Sequence, residues 1–165
     1  MFDLKPLSPE AVPRALEKAE RYRLLNEPVE AESIARDVLA VDPDHQKALV
    51  TLLLALTDQF AAGRGDVEEA RALLPRLRDT YERSYYAGII CERRAKAHHE
   101  RGGPGSGFVA YDLFRQAMDW YAKAETLRPP GNDDAVLRWN TCARILARHP
   151  DLRPAPQERV ELPLE

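Results

Sequence analysis

Cysteine is nearly missing: the 165 residues hold two, Cys91 and Cys142, which form no CxxC pair. Both read as reduced, packed thiols, and neither has an identifiable base to make it a nucleophile. Long apolar runs are missing too. The longest, Ala48 to Leu56, falls far short of the roughly 20 residues a membrane span requires. The start, MFDLKPLSPEAVPRAL, has neither a basic leader nor an unbroken apolar stretch, so no secretory signal is expected and a cytoplasmic protein is. Neither sign of charge dominates. A formal net charge of -3 gives no general reason to expect nucleic acid or an anionic membrane as partner. Finally, no segment alternates apolar and polar residues with a β-branched bias, whereas apolar positions three and four apart recur almost throughout, so the fold class is all-α.

What remains is an ordinary globular composition, 44% hydrophobic and 31% charged, on a chain long enough for one domain or one repeat array. Ser8 and Pro9 open a first helix that stops near Asn26. Pro28 opens a second, with Val29, Ile34, Ala35, Val38, Leu39 and Val41 on its apolar face, and Asp42-Pro43 closes it. A third spans about His45 to Phe60 and a fourth about Asp66 to Arg78, across the turn AAGRGD. Asp79 with Glu82 has the form of a capping box before a fifth helix that carries Tyr85 to about Glu100. After GGPGSG, a sixth runs from Phe108 to Leu127 and a seventh from Asp133 to Ala147. Residues 1–8 read as an extension, and 149–165, rich in proline and without period, as an extended or disordered tail.

The even-numbered helices share a pattern. Ala31, Ala35, Val38 and Pro43 stand at offsets 0, 4, 7 and 12; Ala117, Tyr121, Ala124 and Pro129 repeat them; Ala70, Leu74 and Leu77 repeat the first three. Offsets 0, 4 and 7 share one helical face, the small residue admits a neighbouring helix closely, and the proline ends the unit. In ESIARDVLAVDPD and QAMDWYAKAETLRPPG the chain resembles the tetratricopeptide repeat family. First helices match less well, with Ala15, Ala19 and Tyr22 in one unit and Leu49, Leu52, Leu53 and Leu56 in the next. Unit spacings are 39 and 47 residues, Ala31 to Ala70 and Ala70 to Ala117, against a family repeat of about 34. Over residues 9–148 the resemblance implies a right-handed α-solenoid of about three helical hairpins and a C-terminal capping helix.

Two stretches invite a chemical reading. GGPGSG follows a helix, contains Pro104 and lacks the lysine of a phosphate-binding loop, so it reads as a wide, mobile turn over Gly102 to Gly107. In AHHE, the adjacent His98 and His99 point about 100° apart on a helix, so they and Glu100 do not make a metal site, and neither metal nor cofactor is expected. The basic clusters at Arg21–Arg23 and Glu92–Lys96 have acidic neighbours at helical spacing, as solvated faces do. Trp120, Trp139 and the tyrosines at 81, 85, 86, 111 and 121 read as core and inter-helix packing.

The resemblance also implies a binding surface. The first helices of such arrays line a concave groove that holds a peptide or partner helix. Here its positions are Lys47, Val50, Leu54 and Asp58 from the second unit, Glu92, Lys96 and His99 from the third, and Asn140 and Arg144 from the last helix, where the guanidinium can fork onto a carboxylate and the amide onto a backbone. The expectation is a non-catalytic interaction module or scaffold with a protein or peptide partner and no membrane partner. A second copy of the chain stays open as a partner. The alternative is a nucleic-acid-binding helical repeat, for which arginines of the first, fifth and seventh helices must gather on one face, and after it a helical-bundle metal protein or enzyme, for which His98 or His99 must meet acidic residues in space.

Overall fold

The computed structural model describes residues 1–157, and the last residues of the expected tail lie outside that range. Seven α-helices and no strand make up the described chain, so the class is all-α. They are α1 (Val12–Leu24), α2 (Pro28–Val41), α3 (Gln46–Asp58), α4 (Val67–Leu73), α5 (Thr80–Arg101), α6 (Ser106–Leu127) and α7 (Asp134–Arg148). None is long and apolar enough to cross a membrane.

Local chemistry sets most boundaries. Helix α1 starts later than Ser8 suggests: Ser8 makes no side-chain cap, Pro9–Ala11 forms a 3-10 turn, and Pro13 takes the first helical turn, where its missing N–H costs nothing. It ends in a Schellman motif, with Asn26 at φ 59° and the Glu27 N–H donating to the Tyr22 carbonyl at 2.8 Å. Asp79 caps α5 by accepting from the Tyr81 and Glu82 N–H groups at 2.7 and 3.2 Å. Helix α4 is much shorter than its periodicity suggests. Pro75 has no N–H to continue the ladder, so Leu74–Arg76 tightens into a 3-10 turn and Arg78 lies beyond it. In the glycine run only Gly102 to Gly105 connects; Ser106 and Gly107 already belong to α6.

Helix α1 packs on α2 and α3, α3 on α4 and α5, α5 on α6, and α6 on α7. The patterned positions supply the contact surfaces: Ala31, Ala35, Val38, Ala70, Ala117, Tyr121 and Ala124 are wholly buried, Leu77 nearly so, and Leu74 half-buried where the proline turns the chain. Val29, expected on the apolar face of α2, is exposed. The alanines matter because a single methyl lets helix axes approach. One glycine carries the closest approach of α5 to α6. A Cβ on Gly88 would lie 2.4 Å from the Tyr121 ring, so the buried phenol occupies the space a side chain would need. Tyr85 packs against both Tyr121 and Tyr86, with ring centroids 5.8 and 5.2 Å apart. Trp120 and Trp139 depart from the packing expectation, at 37% and 38% exposed on α6 and α7.

The start of the tail is docked rather than loose. Leu152 is 4% exposed in the core formed by α5, α6 and α7, and its N–H donates to the His149 carbonyl at 3.0 Å. Arg36 pairs with Glu32 one turn away on α2 at 2.8 Å and ties α2 to α4 through Glu69 at 2.6 Å.

Candidate functional site

A groove of about 480 Å³ opens where α1, α3 and α5 come together. Helix α3 lines it with Gln46, Lys47, Val50, Thr51 and Leu54, one stripe of its surface; α1 contributes Glu20 and Arg23, and α5 contributes Glu82 and Tyr86. The floor is apolar, made by Val50, Leu54 and the Tyr86 ring, and the rim is charged. Lys47 and Glu20 face each other across it at 3.9 Å. Burial, then the charge of nearby Glu82, pushes the Tyr86 phenol up to about 12, so it presents a hydroxyl that can donate. Burial also raises the Glu82 carboxyl, with the Asp79 charge adding to it.

Asp58, one helical turn beyond Leu54, is not free to hold a ligand. The Arg23 Nε donates to it at 2.7 Å from α1, and the Arg93 guanidinium of α5 donates to its other oxygen and to Thr57 Oγ1 at 3.0 Å. This cluster pins the three groove helices to one another. It also bears on the nucleic-acid alternative, since two of the arginines that reading needs do converge, but with their guanidiniums turned to a shared carboxylate.

Glu92 does not lie on the groove surface where the repeat pattern places it: it has no exposed surface and sits where α5 meets α6 and α7. Tyr121 Oη donates to it at 3.0 Å, the Arg138 guanidinium at 3.4 Å, and Lys96 Nζ stands 3.4 Å from its other oxygen. A buried carboxylate needs such donors; Lys96 stands at helical spacing, but helix periodicity does not register Tyr121 and Arg138, which are 29 and 46 positions away. Tyr121 pays for this company with a phenol held far above its usual range, first by burial and then by the Glu92 charge. Burial, then Glu92, likewise pushes the Cys142 thiol up to about 12, which makes it inert as a nucleophile. Among the described residues no buried side-chain nitrogen or oxygen lacks a partner.

The remaining expected positions lie away from the groove cavity. Lys96 is occupied by Glu92, Asn140 is half-buried and Arg144 exposed on α7, a helix that packs against α6. His99, in the last turn of α5, has its Nε2 3.1 Å from Asp151 Oδ2. His98 borders a different cavity with Phe60, Arg64 and Arg101, so the two adjacent histidines are separated as helix geometry demands. Six groove residues lie outside the sequence expectation, namely Glu20, Arg23, Gln46, Thr51, Glu82 and Tyr86. Arg23 and Tyr86 stand in a basic cluster and an aromatic run, but nothing local tells which face they turn.

Two other hollows have less to recommend them. One of about 490 Å³ is lined only by α1 and its cap residue, from Arg14 to Leu25, so no second helix shapes it. Another of about 570 Å³, between the 3-10 turn at Leu74–Arg76, α5 and α6, is mostly apolar and bordered by Trp120 and Leu127. Comparison with known protein families, with curated proteins and with solved structures finds no significant match.

Proposed function

We propose that this chain is a non-catalytic interaction module of tetratricopeptide type, a right-handed solenoid of three helical hairpins closed by α7, holding a peptide or partner helix in the groove between α1, α3 and α5. One observation carries the reading: Lys47, Val50 and Leu54, chosen from the repeat pattern, line a single groove whose other walls are the neighbouring first helices. Its apolar floor and mixed charged rim suit a segment that offers one or two apolar side chains flanked by polar ones. Asp58 serves this reading as the brace that fixes the groove walls rather than as a ligand contact. Two buried thiols, neither in a disulfide, fit a reducing compartment such as the cytoplasm.

Peptide display on the purified chain, followed by titration of the selected peptides, tests this. Val50→Glu places a charge on the groove floor and is expected to weaken those peptides at least about tenfold, the worth of one well-buried apolar contact. Val109→Glu, an exposed site on α6, is expected to leave them unchanged. Peptides that bind the Val50→Glu protein as tightly as the original would refute the groove.

A further inference from the structure

We propose that His99, His149 and Asp151 form a binding site for a divalent transition-metal ion, which would clasp the C-terminal segment onto the end of α5. One ligand atom from each of the three lies within 4.8 Å of the others. They come from two places far apart in sequence: His99 from the last turn of α5, and His149 and Asp151 from the cap of α7 and the turn just beyond it, 52 positions from His99 to Asp151. The site is independent of the groove.

Backbone packing, not a chance meeting of surface side chains, brings them together. Leu152 is buried beside Asp151 and anchors the segment. On its other side the Asp151 carbonyl crosses α6 at Gly107, where a Cβ would lie 2.5 Å from the carbonyl oxygen; only glycine admits the chain so closely. The two imidazoles already meet edge to face, with centroids 4.8 Å apart.

The distances suit a metal. His99 Nε2 and Asp151 Oδ2 are 3.1 Å apart, close to the separation of neighbouring ligands that each sit about 2.1 Å from one ion. His149 is exposed, so its ring has the freedom to swing the remaining ångström or so inward. Two imidazole nitrogens and one carboxylate favour zinc, cobalt or nickel over magnesium or calcium, which prefer all-oxygen shells. The open side of the trio faces a cavity of about 380 Å³ lined by the glycine turn, Ser106 and Arg153, with room for water to complete the shell. The ordinary competitor is the His99–Asp151 ion pair alone, which needs no His149.

Titration of the untagged 165-residue chain with zinc chloride by calorimetry, and with cobalt chloride by visible absorption, tests the proposal. One equivalent is expected to bind, with cobalt showing the ligand-field bands of nitrogen and oxygen coordination. Outer-shell partners alone cost 10- to 100-fold in affinity when removed, so His149→Ala and Asp151→Asn, both at exposed positions, should each lose about a hundredfold. His98→Ala should lose nothing. Equal melting temperatures of these variants in chelator would show that the loss is not one of folding. Failure of the unaltered chain to bind, full binding by His149→Ala, or equal weakening by His98→Ala, the mark of adventitious histidine contact, would each overturn the site.

Discussion

Asp58 and Glu92 do the same job in two parts of the molecule under opposite conditions. Each is an acid on an odd-numbered helix that gathers cationic side chains: Arg23 and Arg93 from two neighbouring helices around Asp58, Arg138 from α7 and Lys96 from the next turn of α5 itself around Glu92. Asp58 keeps 21% of its side chain in water, Glu92 none. Water can therefore replace a lost partner at Asp58, whereas at Glu92 every lost donor must be missed. The groove side of the fold is braced by an ion cluster that solvent can loosen. The α5–α7 side is built around a carboxylate that solvent cannot reach.

Substitutions break this contrast in order of size. Glu92→Ala removes the acceptor of a buried hydroxyl and leaves a hole, and it should cost about 3 kcal/mol, the low end for a broken buried pair because Arg138 and Lys96 can turn to water; urea unfolding followed by circular dichroism measures it. Gly88→Ala forces the Tyr121 ring off the same carboxylate and should cost about 2 kcal/mol by overpacking, with Gly88→Ala and Glu92→Ala together costing less than their sum if they act through one contact. Asp58→Ala should cost only about 1 kcal/mol, typical of a partly exposed pair. An equal loss at Asp58 and Glu92 would abolish the distinction between the two acids.

A third acid sharpens the scale at its weak end. Burial acts to raise the Glu32 carboxyl, but the Gln59 amide and the Arg36 guanidinium outweigh it and hold the group below its ordinary 4.5. A depressed carboxyl contributes stability that is present above its unfolded value and lost as pH falls through its folded one. Glu32→Gln should therefore cost about 0.5 kcal/mol at neutral pH, and the gap between variant and original should close below about pH 4.5. A gap that persists in acid would mean that packing, not charge, holds the Glu32 side chain.

The helices were legible in the sequence because their cause is local. Alanines and leucines at offsets 0, 4 and 7 face one way, and prolines and Asp79 mark their ends. The apolar period of α4 runs on through Pro75, but the missing N–H there ends the helix at Leu73. The two acids were not legible in the same degree. Asp58 fell on the expected face, but its arginine partners 35 positions away on either side are set by how α1 and α5 flank α3. Glu92 looks like any surface glutamate in ERRAK; its burial follows from Gly88 letting Tyr121 in, a contact that only the pairing of α5 with α6 creates. The meeting of His99 with Asp151 depends likewise on where Leu152 finds its hole.

The placement of Trp120 on α6 and Trp139 on α7, each a little over a third exposed, has an optical consequence. Helices α1 to α4 contain no indole at all. Tryptophan emission therefore watches only the block built around Glu92, while helical dichroism watches the whole chain. Coincident midpoints from the two signals mean a single cooperative transition; an emission midpoint displaced to higher urea measures, without label or substitution, how far the groove side can melt while the buried carboxylate still holds its neighbours.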